Sequence, residues 1–276
     1  MDEWIEERRE KRRVRESRLD QQPIVTVDGV VGANAVSGGK MQGDELWDAT
    51  FSLVAWRIDD GVIESGQMVV HKFCSDADLH ALQDLVDKES LVRFQAQIVD
   101  RSSSGILDAR LQGFSTVKID DEKLEELRSA RLAPLVYDDP VLGDLTLNRS
   151  INSYEAPVAW LGNEVELSIS ALNEEIDKRS LQIAHELVEK QSIWHARAID
   201  LAADSLLELK NDSWLEDDED EVTHDEFIKA MTLESISVFS DKTFAFYFED
   251  GDLFWGHTIE VTGSIDKGPD SANIVG

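Results

Sequence analysis

Residues Phe51–His80 read FSLVAWRIDDGVIESGQMVVHKFCSDADLH. Phe51–Arg57 and Val62–Phe73 carry the β-branched and aromatic side chains of two strands, the second interrupted near Gly66. Asp59-Asp60-Gly61 between them has turn chemistry. Ser75 with Asp78 resembles a capping box and predicts a helix to about Lys88, with Leu79, Leu82, Leu85 and Val86 on one face. Upstream, Pro23–Val31 reads as extended, and Gly29, Gly32, Gly38, Gly39 and Gly43 then punctuate a loop. Downstream, Val92–Asp100 and Ile106–Phe114 are strands flanking a turn at Arg101–Gly105. The order β-β-β-α-β-β predicts a small barrel or curled sheet over residues 23–130, with an OB-like arrangement among the options.

Beyond that segment the pattern changes. Asp120–Arg131 reads as a short acidic helix ended by Ala133-Pro134, a bridge between two domains. Over 137–276, Gly143-Asp144 is a turn and Leu145–Ile151, Tyr154–Trp160 and Glu164–Ser170 form a meander. Asn173–Lys210 is helical, as one helix or as two broken near Gln191-Ser192, amphipathic and covering a sheet. Thr223 with Glu226 starts a helix to about Met231. Strands follow at Leu233–Phe239, Thr243–Phe248 and Leu253–Val261. Asp250-Gly251 reads as a two-residue turn pairing Glu249 with Asp252, Phe246 with Trp255 and Phe244 with His257. Residues 1–22 hold too few large apolar side chains (Trp4, Ile5, Val14, Leu19) for a buried stripe and read as a charged tail or frayed helix. The whole is α+β: a β-rich N-terminal domain, then an antiparallel sheet covered by long helices.

Composition bounds the chemistry. The 276 residues are 42% hydrophobic, enough for real cores. No apolar run approaches the roughly 18 residues of a membrane span, and MDEWIEERREKRR is no signal peptide, so a soluble cytoplasmic protein is expected. A lone Cys74 excludes an internal disulfide framework and cysteine-rich zinc sites. The formal charge is −30, and it is uneven: residues 1–20 are neutral, whereas 137–276 hold 9 basic and 31 acidic side chains. A field of that sign repels phosphate backbones and anionic lipid, and attracts cations and basic proteins. Nucleic-acid binding by the C-terminal half and membrane binding are therefore not expected.

The candidate sites divide by chemistry. Gly38-Gly39-Lys40-Met41 lacks the upstream glycine and the magnesium-binding hydroxyl of a P-loop. Cys74 reads as buried and inert, with His71 on the opposite strand face. The six histidines, at 71, 80, 185, 195, 224 and 257, show no ligand spacing. Glu164 and Glu166 share the wet face of a strand. No catalytic residue, metal ligand or cofactor is assigned. The densest chemistry lies at the C-terminal end, where Trp214, Asp217, Asp218, Asp220, Asp250, Asp252, Trp255 and His257 are the candidate binding residues. The acidic run Glu216–Glu221 and the like-charged Glu249, Asp250 and Asp252 read as solvated tips that a basic partner could neutralise.

At these residues the sequence resembles the bacterial family carrying domain of unknown function 2262. The resemblance rests on LELKNDSWLEDDED (Leu207–Asp220), on FIKAMTLESISVFSDKTFAFYFEDGDLFWGHTIEVTG (Phe227–Gly263) and, more loosely, on SYEAPVAWLGNEVELSIS (Ser153–Ser170), and it covers about 137–276. It implies a bacterial cytoplasmic protein of α+β type and carries no catalytic residues to transfer. Three classes stay open. The first is a non-catalytic protein-binding or regulatory module, an immunity-type inhibitor of a toxin being one form. The second is a structural domain whose acidity only confers solubility, and the third a cation-dependent hydrolase with a site near the last hairpin. Partner binding is ranked first, with the partner and the oligomeric state left open.

Overall fold

The computed structural model describes residues 2–101, 105–116, 119–215 and 219–276. They form two compact units that divide between Ala133 and Pro134.

The first unit runs α1 (Asp2–Leu19), β1 (Val25–Val31), β2 (Ser37–Gly39), β3 (Trp47–Ile58), β4 (Glu64–Cys74), α2 (Asp76–Leu85), β5 (Leu91–Asp100), β6 (Leu107–Thr116) and α3 (Glu122–Leu132). β1 pairs antiparallel with both β3 and β5, β3 with β4, and β5 with β6, while β4 and β6 run parallel. These pairings close a five-stranded barrel, with β2 added at the edge of β3. Numbered by barrel strand, the ring runs 1-2-3-5-4-1 with a helix between strands three and four, which is the OB arrangement. Alternation explains the closure: Ala49, Phe51 and Leu53 point inward, a bulge after Leu53 resets the register, and Trp56 points inward again. Phe51, Phe94 and Phe114 meet inside with ring centroids 5.8–6.4 Å apart. Ser75 caps α2 by accepting from Asp78 N–H, and the helix buries Leu79 and Leu82 in the same core. Part of the glycine-punctuated loop is therefore strand β2.

Asp28 on β1 is 2% exposed and faces away from the barrel core. Arg57 of β3 and Arg93 of β5 each donate two hydrogen bonds to its carboxylate, at 2.5–3.1 Å. Arg57 also pairs at 2.6 Å with Asp121, whose carboxylate caps α3. Beside this pin, Leu124 of α3 packs with Val30, Ala55 and Leu91. Burial opposes ionisation of Asp28, but the bonds from Arg93 and Arg57 outweigh it and hold the carboxyl below its usual range.

The second unit runs β7 (Val136–Asp139), β8 (Gly143–Asn148), β9 (Ser153–Trp160), β10 (Asn163–Leu172), β11 (Glu175–Ile176), α4 (Lys178–Glu189), α5 (Gln191–Ser213), α6 (His224–Ala230), β12 (Thr232–Val238), β13 (Thr243–Glu249), β14 (Thr258–Ser264) and β15 (Gly268–Val275). The sheet order is β15-β14-β13-β12-β10-β9-β8-β7, with β11 paired to β10. Only β10 and β12 run parallel, and the crossover such a pair needs is supplied by the three helices. Trp194, Ala198, Ala202, Leu206 and Lys210 form one buried ridge of α5 at four-residue steps, the period of a helix face. Trp194 meets Phe244 across it, at 5.4 Å between rings. On β7, Asp139 is 4% exposed and accepts from the Val141 and Leu142 backbone N–H groups and from His185 of α4, at 2.9–3.0 Å.

Three expectations are corrected. Residues 2–19 are a helix, as one of the two readings had it, but docked on the barrel and not frayed: Leu19 is fully buried and Arg12 and Arg15 reach barrel strands or loops. Asn173–Ile176 is a turn and a short strand, because Asn173 and Glu174 both take positive φ. The helical stretch is two helices, as one of its two readings had it, divided at Lys190, which caps both α4 and α5. The last hairpin is not a two-residue turn: Glu249 pairs with Thr258, Phe246 with Val261 and Phe244 with Gly263.

Because Arg93 is 41% exposed and can turn to solvent, removing Asp28 costs less than breaking a fully buried pair. Asp28→Ala is expected to lower urea-unfolding stability by about 2–3 kcal/mol. With its folded pKa depressed, Asp28 contributes above the unfolded value of about 3.9 and loses that contribution as pH falls through the folded value. A loss under about 0.5 kcal/mol at neutral pH would show that the arginines need no such partner.

Candidate functional site

The eight residues between β13 and β14 fold as a built loop around one carboxylate. Asp250 is 3% exposed. Its Oδ1 accepts from Asp252 N–H at 3.1 Å, and its Oδ2 accepts from Phe254 N–H at 2.6 Å and Gly256 N–H at 3.2 Å. A side chain that fills three backbone donors replaces the ladder bonds a tight hairpin would have made. Gly251 is required here: φ is +59°, and a Cβ would sit 2.5 Å from the Ala230 carbonyl oxygen. Asp252, Trp255 and Gly256 also take positive φ, +68°, +57° and +85°. Left-handed backbone at a tryptophan costs about 1–3 kcal/mol and persists only where surroundings over-determine it.

Those surroundings are aromatic. Phe254 is fully buried and packs on Phe227 and Trp214, at 6.0 and 5.5 Å. Trp214 sits 4.8 Å from Trp255 and meets His257 edge-on at 5.7 Å. Trp255 itself is 63% exposed. Trp214 is held from behind by Lys210, a lysine only 1% exposed whose Nζ donates to the Trp214 carbonyl at 2.9 Å and to Glu219 at 2.8 Å. The Asn211 amide closes the same segment, donating to the Val222 carbonyl and accepting from its N–H. The acidic run is thus clamped at its far end by two side chains from the last turn of α5.

A second constellation lies in the first unit, where sequence reading placed no site. Arg9 and Arg12 of α1 reach the loop before β3, Arg9 donating to the Gln42 carbonyl at 2.8 Å and Arg12 pairing with Asp44 at 2.6 Å. Arg15 Nη1 is 3.0 Å from both ring nitrogens of His71. An atom equidistant from both nitrogens at that range lies over the ring, so the guanidinium stacks on the imidazole. In the ring plane, His71 Nδ1 meets Asp48 at 3.1 Å and Nε2 meets Asp108 at 3.3 Å. Carboxylates only accept, so the two that face the imidazole nitrogens favour its doubly protonated form. Burial opposes that charge, and Asp108 and Asp48 overcome it, leaving the His71 pKa raised. Burial likewise opposes ionisation of Asp108, but His71 and a two-pronged bond from Arg101 at 2.5 and 3.0 Å hold it well below the carboxylate range.

Comparison with known proteins follows this division. Residues 139–274 match the family described as "Uncharacterized protein conserved in bacteria (DUF2262)". The C-terminal unit is similar to that family. Residues 11–130 match a second model, "Domain of unknown function (DUF7021)". No curated protein matches the chain. Among solved structures, the mitochondrial single-stranded DNA binding protein Rim1 of S. cerevisiae is 14% identical, over 37% of this chain and 99% of that one, with a TM-score of 0.26. At that score the likeness carries no argument, and the barrel assignment rests on strand pairing.

The C-terminal unit holds the candidate binding residues named from sequence, and the structure sorts them. Trp214, Trp255 and His257 come together as one ring cluster. Asp250 is corrected from solvated tip to buried pin, while Asp252 and Asp220 are exposed. Asp217 and Asp218 lie outside the described residues. Sequence reading missed Lys210, whose place on the α5 ridge at the same four-residue step was the available signal. Cys74 is buried, and burial pushes its thiol up. Among the described residues no group of three or more His, Cys, Asp or Glu is arranged to hold a metal ion.

Asp250→Asn keeps the volume but leaves one acceptor oxygen for three N–H donors. It is expected to cost about 2 kcal/mol in thermal unfolding and to reduce the near-ultraviolet circular dichroism of the Trp214–Trp255 pair. An unchanged melting temperature and spectrum would mean the loop forms without its carboxylate.

Proposed function

We propose that the chain is a non-catalytic, acidic protein-binding module of the cytoplasm, regulatory or inhibitory in action, that offers the Trp255 loop to a basic partner. An immunity-type inhibitor of a toxin is one form of that role. The observation carrying the reading is Trp255, an exposed indole held in an unfavourable backbone conformation by a buried carboxylate and backed by Trp214. Tryptophan fixed in advance is the side chain that anchors interfaces, since little freedom remains to lose on binding. Its surroundings supply the sign of the partner: residues 137–276 carry a net −22, and such a field steers and selects basic surfaces.

His257 fits the same reading. Its ring packs on Trp214, and among the described residues no carboxylate hydrogen-bonds to it, so it shapes the platform rather than forming an acid–base pair. Among those residues, too, no helix is long and apolar enough to cross a membrane.

The test compares wild type with Trp255→Ala as bait in native lysate, at low and high salt, with captured proteins identified by mass spectrometry. A basic protein is expected to be retained at low salt and released at high salt. Trp255→Ala is expected to weaken that interaction at least about thirtyfold, the loss of roughly 2 kcal/mol seen at an interface anchor. Undiminished recovery with Trp255→Ala would remove the loop from the binding role.

A further inference from the structure

The barrel carries a second recognition surface, and its own N-terminal helix shows what that surface takes. An OB barrel meets ligands on the face of its second and third strands and on the loops beside them. Here those strands are β3 and β4, and α1 crosses from the edge of this face onto β5 and β6: Arg12 reaches Asp44 before β3, Arg15 reaches His71 on β4, Arg18 donates to the Asp100 carbonyl at the end of β5, and Arg110 of β6 pairs with Glu16. The face is built for guanidinium groups. Asp44, Asp48 and Asp108 are its carboxylates, and the Phe73 ring lies 5.3 Å from the Arg12 guanidinium and 5.9 Å from that of Arg15. Acids and an aromatic ring together form a poor phosphate site and a good arginine site.

The docking of α1 is also incomplete. The helix has no apolar seam, with Trp4 56% and Val14 51% exposed. Arg15 Nη2 is buried without a hydrogen-bond partner, while Arg110 of β6 pairs with Glu16 at 3.3 Å and with Asp20 at 2.7 Å. Arg15 Nη1 lies over the His71 ring, and its guanidinium also meets Glu16 at 3.0 Å and Asp48 at 3.6 Å. A cavity of about 540 Å³ opens between Lys11, Val14, Arg15 and Arg18 of the helix and Arg101 and Asp108 of the barrel. Contacts of this kind are screened by salt and leave room for a better occupant.

We propose that the β3–β4 face of the barrel is a docking surface for an arginine-bearing helix of a partner protein, and that α1 fills it in cis as a displaceable occupant. The surface is distinct from the Trp255 loop and does not depend on it.

The test uses the full chain. A fluorescently labelled peptide of residues 2–20 is titrated into wild type and into the Arg12→Glu/Arg15→Glu double variant, whose reversed charges drive α1 off the face. The variant is expected to bind the peptide at least tenfold more tightly than wild type, and to lose it at high salt. Equal binding to both proteins, binding to neither, or capture of a thymidine oligonucleotide by the variant in place of the peptide would overturn the proposal. Hydrogen exchange on the wild type keeps the test decisive if the double variant misfolds. Between about 0.05 M and about 1 M salt, amides of α1 should lose protection while those of β1 and β3–β6 keep it; retained protection in α1, or loss in both together, would overturn it.

Discussion

A carboxylate taken out of water must have its lone pairs filled, and among the described residues four aspartates impose that demand. Asp28, Asp108, Asp139 and Asp250 are each under 5% exposed. Each is met by donors from elements or loop positions that hydrophobic packing alone would not bring into register: two arginines on neighbouring strands, an imidazole and an arginine, a turn backbone with a helix histidine, and three amides of one loop. Such pins add little net stability beyond what apolar substitutes would give, but a missing partner is expensive. They therefore define geometry more than they add strength.

Seen this way, the 57 acidic residues perform two tasks. Most stand in water and create the field, while a few are withdrawn from it and shape what the field surrounds. Asp250 connects the two, since it holds an exposed tryptophan at a backbone angle that residue would not choose. At the other end of the chain, Asp108 and Asp48 hold a buried histidine beneath the arginines of α1.

Much of the architecture was legible because it follows period and punctuation. Alternating apolar residues announced β3, β9 and β10, the Ser75 and Thr223 caps marked α2 and α6, and the β-β-β-α-β-β order pointed to the barrel. The ring cluster was legible as composition, through Trp214, Trp255 and His257, but not as geometry. Asp250-Gly251 has the letters of a tight turn, and nothing local distinguishes a turn aspartate from one whose carboxylate collects amides up to six residues on. β15 was missed because GPDSANIV lacks clean alternation. α1 was misread because its docking uses ion pairs in place of an apolar stripe, and the sequence window contains only one side of each pair.

The ionisation of the pinned carboxylates is the most direct measure of this account. Carbon-13 detected titration of the aspartate side chains in the full chain would follow each one separately. Asp28, Asp108 and Asp139, all depressed against the cost of burial, should stay ionised through the range near pH 3.9 where exposed aspartates protonate. Ordinary titration of these three in the still-folded protein would mean that the donors around them are incidental, and would contradict the account.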